Sequence, residues 1–254
     1  MPSISAVLIV KNEANKLPEC LQSLSWVNEI IVLDSGSSDN TLEIAQGFSA
    51  KVFTNTDWQG FGVQRERAAN YATSDWIFMI DADERVTPEL ESAIKAAISQ
   101  GDAVWQINRL AWCFGRFIKH SGMHPDWIPR LYPRNKAKFD ETRVHERLVN
   151  HLNLPVRRLD GVLLHYLFDS VRHQQQKAAH YAEEWALQRA AAGKKTFLTS
   201  AVLHALACFL RMYVFRLGFL DGKQGFLLAL LLSQSTFSKY AELWQLTNNR
   251  NVKR

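Results

Sequence analysis

The sequence is poor in the features that mark disulfide-rich, fibrous and disordered chains. It has only three cysteines in 254 residues, with no Cys-x-x-Cys spacing, and this excludes a disulfide framework and a zinc module. Its 12 glycines, 7 prolines and 22% charged residues exclude collagen-like and low-complexity chains. Hydrophobic residues make up 47% of the chain, which is enough for a sizeable core. We therefore expect a folded protein with reduced thiols in the cytoplasm.

Long hydrophobic runs are also missing. Residues 4–10 are apolar but have no basic region before them, so they predict a buried strand and not a secretory signal. The longest uncharged run near the C-terminus, residues 196–210, falls short of the ~20 residues that a spanning helix needs. We expect no membrane span, whereas attachment to a membrane surface stays open.

Charge is divided unevenly along the chain. Residues 1–104 hold 7 Lys and Arg against 15 Asp and Glu, a net charge of −8, and the remainder carries +13 together with all eight histidines. An acidic segment suits a cation held by carboxylates, and a basic one suits an anionic partner. Nucleic acid, phospholipid and a phosphorylated glycan are the candidate partners at this point.

Short β-branched runs alternate with helical patterns through the first hundred residues. The predicted strands are residues 4–10, 29–34, 51–54 and 76–80, and the predicted helices are residues 17–24, 41–47, 62–72 and 88–100. Asp39 is placed to cap the second helix, and Thr87-Pro88 opens the fourth. Alternation of this kind predicts an α/β fold with a mostly parallel sheet and helices on both faces.

The second part of the chain is first irregular and then helical. Short strands are predicted at residues 103–108 and 155–164, with turns around Pro125, Pro129 and Pro133. A polar helix is predicted over residues 171–192. Two apolar helices are predicted at residues 197–219 and 225–246, separated by Asp221-Gly222-Lys223.

Acidic side chains follow three of the predicted strands, at Glu13, at Asp34 and Asp39, and at Asp81 and Asp83. Ligands of such sheets bind beyond the carboxyl ends of the strands, which share one edge. Two carboxylates two residues apart suit a hard divalent cation and its phosphate ligand. An ordinary acidic turn is the competing interpretation, but coincidence at three strand ends favours a site.

The first strand followed by KNE (residues 11–13), LDSGSSDNT (33–41) and DADE (81–84) before a proline-initiated helix together resemble glycosyltransferase family 2. The resemblance implies the GT-A fold, a nucleotide-sugar-binding α/β sheet with a C-terminal helical extension. Farther on, WIPRLY (127–132), VHE (144–146) and FLDGKQG (219–225) resemble the lipopolysaccharide inner-core branch, which adds a β-glucose to a core heptose.

The resemblance also implies a domain organisation. Residues 1–192 are expected to form the catalytic domain, with a nucleotide-sugar half at 1–104 and an acceptor half at 105–192. Residues 193–254 are expected to form a helical extension that associates with the membrane or oligomerises.

The same resemblance implies a donor site for a UDP-sugar. The expected donor-binding residues at the ends of the first two strands are Val10, Glu13, Asp34 and Asp39. Asp34 is of the type that accepts the uracil imide N–H. Asp81 is expected to face ribose or metal, and Asp83 to ligate Mg²⁺ or Mn²⁺ bridging the diphosphate. Metal charge there stabilises the departing UDP.

Three further residues are candidates for substrate contacts. His165 ends an apolar run and is suited to metal or diphosphate, with a satisfied core histidine as the alternative. Arg130 is suited to clamping phosphate, and Arg65 follows Gly62 where family members place donor contacts. A solvated surface position is the alternative for both arginines.

Inversion in one step needs a base that deprotonates the acceptor hydroxyl. Glu146 is the preferred candidate because it lies 63 residues after Asp83, where the family places its acceptor-side acid. Many relatives show Glu-Asp where this chain has His-Glu, and a surface ion pair with Arg143 or Arg147 is the plain alternative. The competing bases are Asp126, Asp140 and Glu141.

The function expected from these features is inverting, metal-dependent transfer of glucose or a related hexose from a UDP-sugar to a heptose of the lipopolysaccharide inner core. A glycosyltransferase acting on polyprenyl phosphate or another lipid-linked glycan is the first alternative. A nucleic-acid-binding protein has no use for three acidic strand ends, and a nucleotidyltransferase usually has a glycine-rich phosphate loop that VKNEANK (10–16) lacks.

The expected location is the cytoplasm, peripherally on the inner face of the inner membrane. Arg211 and Arg216 lie among aromatic residues of the C-terminal apolar helices, a composition that suits anionic lipid. Packing of these helices on each other or on a second subunit, giving a homo-oligomer, is the alternative.

Overall fold

The computed structural model describes residues 2–140 and 147–248. The described residues form two compact units, those within Met1–Arg109 and Asp126–His165, and those within Leu110–Pro125 and Tyr166–Arg254. The boundary expected after residue 192 falls inside the second unit. Each unit is described separately below.

The first unit begins with alternating strands and helices, as the sequence pattern predicts. In chain order these elements are β1 Ile4–Val10, α1 Leu17–Gln22, β2 Glu29–Asp34, α2 Thr41–Gly47, β3 Lys51–Thr54, α3 Phe61–Ala69, β4 Trp76–Met79, β5 Glu84–Val86 and α4 Pro88–Ala97. The four predicted strands and four predicted helices of this region are confirmed, and the three-residue strand β5 was not predicted. Thr87 caps α4 by accepting a hydrogen bond from the Leu90 N–H at 3.3 Å.

The sheet of the first unit has a parallel and an antiparallel half. Its later strands are β6 Val104–Cys113, β8 Asp126–Pro133 and β11 Val156–Phe168, of which β6 and β11 end in the second unit, and β7 Arg116–Phe117 belongs wholly to the second unit. The strand order is β3-β2-β1-β4-β8-β6-β11-β5. Strands β3, β2, β1 and β4 are parallel, and β8 pairs antiparallel with β4 and β6.

Strands β1, β2 and β4 of the parallel half are largely buried on both faces, which explains why they are apolar at nearly every position. Ala6 and Leu8 of β1 join one core cluster, with α1 and α4 leucines, whereas Val7 joins a second cluster with alanines of α3. The prediction of helices on both faces is thereby confirmed.

The expected turn at Pro129 is wrong, because Pro129 lies within β8, whereas Pro133 ends β8 and accepts from the Lys136 N–H at 3.2 Å in the turn that follows. Pro129 pairs with Gln106 where the register shifts between Trp105 and Gln106, and a proline without an N–H donor is tolerated at such an irregularity. A small hairpin follows, with β9 Lys138–Phe139 antiparallel to β10 Leu148–Val149.

The second unit is mainly helical. It contains α5 Val171–Ala191, α6 Leu198–Leu210, a π-helical turn Arg211–Phe215, a 3-10 turn Gly218–Asp221 and α7 Gly222–Asn248. Helix α7 packs against both α5 and α6. By length and composition, the stretch Leu198–Phe215 is apolar enough to cross a membrane, with a mean hydropathy of 1.6, a criterion that core helices of soluble proteins also meet.

The predicted helix break at Asp221-Gly222-Lys223 is misplaced. The chain leaves the helix at Leu217, which has a left-handed φ of 54°, and α7 already begins at Gly222. The cause is a close approach of backbone, since a Cβ on Gly225 would lie 2.0 Å from the Gly218 carbonyl oxygen. Glycine at 225 lets α7 start directly against the 3-10 turn.

Candidate active site at the carboxyl edge of the sheet

The carboxyl ends of β1 and β2 lie side by side. Val10 pairs with Asp34 in the parallel register, and the Ser35 N–H donates to the Val10 carbonyl oxygen at 2.9 Å. Val10 and Asp34 are buried, and Glu13 is half-buried in the loop after β1. The structure therefore brings the first two predicted acidic clusters to one edge.

Asp34 organises the loop that follows β2. Its carboxylate accepts hydrogen bonds from the Gly36 N–H at 2.9 Å, the Ser37 N–H at 3.1 Å and the Ser37 hydroxyl. Gly36 has a φ of +94°, a conformation that other residues rarely adopt. The side chain predicted to bind the nucleoside thus also determines the shape of the loop around it.

Asn12 and Asp39 join the loop after β1 to the loop after β2. The Asn12 side-chain oxygen accepts from the Ser38 N–H at 2.7 Å, and Asp39 accepts from the Ala14 N–H at 3.2 Å. The Thr41 hydroxyl donates to Asp39 and holds the pKa of that carboxyl below its usual range.

Asn12 was not among the predicted site residues. The sequence feature that could have indicated it is an asparagine in the loop after a predicted strand. Asparagine tolerates a left-handed backbone, and Asn12 has a φ of 56°. The residue at the N-cap of α2 is Asn40, and its side chain makes no capping hydrogen bond. Asp39, one position earlier, caps the helix instead by accepting from the Thr41 N–H at 3.1 Å.

Asp81 lies between two buried arginines. The Arg65 guanidinium donates to one carboxylate oxygen at 2.6 Å, and Arg130 donates to the other. Burial opposes ionisation of Asp81, but the charges of Arg130 and Arg65 outweigh it and hold the pKa of this carboxyl far below its usual range. Asp81 is therefore ionised at neutral pH, with each oxygen bound to a guanidinium.

A second buried carboxylate extends this arrangement. Glu84 is 0% exposed and accepts from Arg130 at 3.1 Å and from the Asp81 N–H at 2.9 Å. Arg109 lies 3.6 Å from Glu84 and donates to Asp126 at 2.8 Å. Three arginines thus alternate with three carboxylates, so the cluster carries no net charge.

The alternating cluster was only partly predicted. Arg65 and Arg130 were candidates for phosphate, and the structure engages both with Asp81. Glu84 and Arg109 were not predicted. Glu84 is the last residue of the DADE motif and the first of β5, and its place in that motif is the sequence signal that could have indicated it. Asp126, a competing base, is bound to Arg109.

Asp83 and His165 form a separate pair. The His165 Nε2 lies 3.5 Å from an Asp83 carboxylate oxygen, with 13% and 17% of the two side chains exposed. The antiparallel pairing of β11 with β5 sets this contact, because His165 lies opposite Glu84. A carboxylate oxygen beside an imidazole nitrogen is a donor set that Mn²⁺ accepts, and Mg²⁺ accepts the carboxylate.

No group of three or more His, Cys, Asp or Glu side chains is placed to enclose a metal within residues 2–140 and 147–248. Asp83 and His165 supply two donors, so a cation there takes its other ligands from substrate phosphate and water. Mg²⁺ commonly binds proteins in this way, through one or two carboxylates plus phosphates. The residues present therefore fit an Mg²⁺ or Mn²⁺ ion that arrives with a nucleoside diphosphate.

The predicted base Glu146 and its competitor Glu141 lie outside the described residues. The ends of that segment are placed by the β9–β10 hairpin, in which the Arg147 N–H donates to Asp140 at 3.1 Å. Asp140 thus has a structural role at the base of the hairpin. The choice of Glu146 stays a prediction.

Known proteins resemble this chain in sequence and in fold. The family model described as "Glycosyl transferase family 2" matches residues 5–150. An uncharacterised glycosyltransferase of Rickettsia prowazekii is 28% identical, with 99% of this chain and 90% of the relative covered. The lipopolysaccharide core biosynthesis glycosyltransferase LpsC of Rhizobium meliloti is 29% identical, with 95% and 92% covered.

A solved structure supports the same fold. The crystal structure of S. aureus TarS 1-349 in complex with UDP matches with a TM-score of 0.51 and 15% identity, covering 99% of this chain and 92% of that one. This likeness extends over both units and concerns the fold alone. With a family match over more than half of its length, the chain is an α/β GT-A enzyme that belongs to glycosyl transferase family 2.

Proposed function

We propose that this glycosyltransferase transfers glucose, or a related hexose, with inversion from a UDP-sugar to a heptose of the lipopolysaccharide inner core, using Mg²⁺ or Mn²⁺. The observation that carries the proposal is the Asp83–His165 pair, 3.5 Å apart at the sheet edge where nucleotides bind. The relative LpsC, whose name assigns it to lipopolysaccharide core biosynthesis, supports the class of acceptor.

Asp34 is the proposed contact for the uracil base. An ionised carboxylate accepts hydrogen bonds at both oxygens. Three loop donors contact Asp34: the Gly36 N–H at one oxygen, the Ser37 hydroxyl at the other, and the Ser37 N–H, which is shared between both. The uracil imide N–H is the proposed further donor, and Val10 and Glu13 lie in the neighbouring strand end and loop.

Asp83 and His165 are the proposed metal ligands, and Asp81 is proposed to act differently. Both oxygens of Asp81 are bound to guanidinium groups, so Asp81 serves this site by holding the Asp81-Ala82-Asp83 turn in place. When bound, the metal supplies positive charge that stabilises the departing diphosphate. Asp83 and His165 would hold the diphosphate side of the donor and keep its orientation fixed.

Glu146 is the proposed base on the acceptor side, removing the proton of the attacking hydroxyl. We propose a lipid-linked acceptor at the cytoplasmic face of the inner membrane. The basic charge of the chain after residue 104, +13, suits a phosphorylated glycan carried by such a lipid. A polyprenyl-phosphate glycan is the alternative acceptor with the same chemistry.

Calorimetric titration with UDP tests the donor and metal assignment together. The wild type is expected to bind UDP tightly only with Mn²⁺ present, and both Asp83→Asn and His165→Gln should remove that metal-dependent gain. The surface variant Asp102→Asn is the matched control, since Asp102 pairs with Lys136 on the exposed surface. Metal-dependent UDP binding that survives both site substitutions would contradict the proposed ligands.

A further inference from the structure

One face of the second unit leaves an unusual amount of apolar side chain in water. On the helix that runs from α6 into the π-helical turn, exposed apolar residues recur every four positions at Val202, Leu206, Leu210 and Val214, and exposed Leu217 follows the end of the turn. We name these five residues the apolar stripe. Such spacing places the first four on one side of the helix, and an exposed apolar patch of this kind marks an interaction surface.

The opposite side of the same helix is already covered. Ala201, Cys208 and Met212 are buried, and the last two share a core cluster with Leu228 and Ala229 of α7. The Ser233 hydroxyl of α7 also donates to the Ala205 carbonyl oxygen at 2.6 Å. The apolar stripe is therefore not a core face of this unit, and it needs an external partner.

The charges around the stripe are of one sign. Between residues 193 and 238 the chain has five cations and one anion. The anion, Asp221, is buried and accepts from the N–H groups of Lys119 and His120 at 3.0 and 2.9 Å. The exposed cations are Lys194, Lys195, Arg211, Arg216 and Lys223. A segment whose exposed charged side chains are all cations fits an anionic partner.

Aromatic side chains lie among these cations. Phe209, Tyr213 and Phe226 contact one another through ring centroids 5.4 to 6.0 Å apart, which fixes the π-helical turn against the start of α7. Phe219 and Phe226 remain nearly half exposed, and Phe215 is 77% exposed. Half-exposed aromatic rings next to Arg and Lys are typical of helices that lie at a lipid–water interface.

We propose that the apolar stripe and its surrounding cations dock this unit on the surface of an anionic bilayer, with α6 lying in the plane of the interface. The stripe enters the boundary between headgroups and acyl chains, and the arginines and lysines meet lipid phosphates. This inference rests on the proposed membrane location and extends it. Its test uses neither a sugar nor an acceptor, so a failure of membrane docking and a failure of the proposed sugar transfer can be told apart.

Two other ways of covering the apolar stripe, a symmetric dimer and a membrane-spanning helix, fit the observations less well. In a symmetric dimer through this face, the same five cations of both copies would approach one another, which opposes association. In a spanning helix, Arg211 would lie roughly 20 Å along a segment of about 27 Å, inside the hydrocarbon region, where a charge is costly. Docking in the plane leaves the cations at the phosphate level.

The first experiment measures co-sedimentation of the full chain with lipid vesicles. Binding is expected with phosphatidylglycerol vesicles at low salt, weaker binding with phosphatidylcholine vesicles, and release at high salt, because salt screens attraction beyond a Debye length of about 8 Å. Replacing Arg211 and Arg216 by Gln should weaken the partition coefficient roughly 30-fold. The matched control, Arg172→Gln with Arg189→Gln on α5, should leave it within about twofold.

The second experiment tests the apolar part. Leu206→Gln with Leu210→Gln changes residues that are 54% and 40% exposed, so the fold should tolerate both, and vesicle binding should fall at least about tenfold. The control is Tyr181→Gln with Leu187→Gln on α5, residues that are 43% and 46% exposed. Thermal melting of all variants verifies that the helices remain folded.

Three results would overturn the proposal. The first is a wild type that stays in solution with phosphatidylglycerol vesicles at low salt. The second is a dimer that the Leu206 and Leu210 substitutions dissociate, which would make the stripe a subunit interface. The third is retention on membranes through both high salt and alkaline carbonate, which would identify a spanning helix.

Discussion

Replacing Arg130 by Met tests the alternating cluster of arginines and carboxylates. Arg130 is 7% exposed at its side chain and pairs with both Asp81 and Glu84, whose side chains are 24% and 0% exposed. Methionine keeps much of the side-chain volume but leaves two carboxylates with one fewer cation. Removing one partner from a buried ion pair typically costs about 3–5 kcal/mol.

For a chain of this length, a loss of about 3–5 kcal/mol lowers the melting temperature by roughly 6–20 °C. Arg65→Met provides a graded comparison, because Arg65 pairs with Asp81 whereas Arg130 pairs with both Asp81 and Glu84, and its effect should be smaller. Differential scanning calorimetry measures both. A shift of less than about 2 °C for Arg130→Met would refute the assignment of the cluster as a buried, coupled unit.

The pH dependence of this loss has a definite sign. In the wild type the pKa of Asp81 lies below its unfolded value of about 4, so ionised Asp81 stabilises the fold above pH 4, and this contribution disappears as the pH falls through the folded pKa. In Arg130→Met one of the two guanidinium groups beside Asp81 is lost, so the pKa of Asp81 rises towards its unfolded value. The difference in melting temperature between wild type and variant should therefore stay nearly constant from pH 7 to pH 5 and narrow as the pH falls below about 4.

A compensating substitution provides the final control. Adding Glu84→Gln to Arg130→Met restores zero net charge in the cluster and keeps a side-chain oxygen for the Asp81 N–H. The double variant should recover part of the lost stability. If Glu84→Gln lowered the free energy of unfolding by the same amount in Arg130→Met as in the wild type, Arg130 and Glu84 would not be coupled.

Three further predictions concern catalysis and folding. Asp83→Asn should abolish sugar transfer while leaving the melting temperature nearly unchanged, and near-normal transfer rates would refute the metal role of Asp83. Glu146→Gln should lower kcat by roughly 10²–10⁴-fold with little change in UDP-sugar affinity, as measured by steady-state kinetics; the same profile from Asp140→Asn instead would identify a different base. Gly225→Ala should strongly destabilise the second unit, because its Cβ would lie 2.0 Å from the Gly218 carbonyl oxygen, and unchanged unfolding of the helices by circular dichroism would contradict this close approach.

The first hundred residues could be predicted from the sequence because their signals are local. Apolar β-branched runs mark β1, β2 and β4, and Thr87-Pro88 marks the start of α4. The location of the ligand site at the acidic strand ends was predicted from the rule that ligands bind at the carboxyl edge of such sheets. These signals need no knowledge of residues distant in the chain.

The cluster around Asp81 and the Asp83–His165 pair depend on distant residues. His165 meets Asp83 only because β11 pairs with β5, a strand of three residues that leaves no periodic pattern. Arg109 meets Asp126 because β6 and β8 pair antiparallel, and no local pattern in the sequence predicts that pairing. Composition alone also misplaced the helix break, because the helix ends at Leu217, an apolar residue with a left-handed φ, and not at the polar residues that follow it.

Product analysis with a panel of sugar nucleotides tests the central claim most directly. UDP-, GDP- and dTDP-hexoses are incubated with the protein, Mn²⁺ and a lipopolysaccharide core acceptor that ends in heptose, and each product is identified by mass and by linkage. We predict transfer from UDP-glucose or another UDP-hexose, with a β linkage and only in the presence of the metal. Transfer from GDP- or dTDP-hexoses instead, an α-linked product, or equal transfer in EDTA would contradict the account.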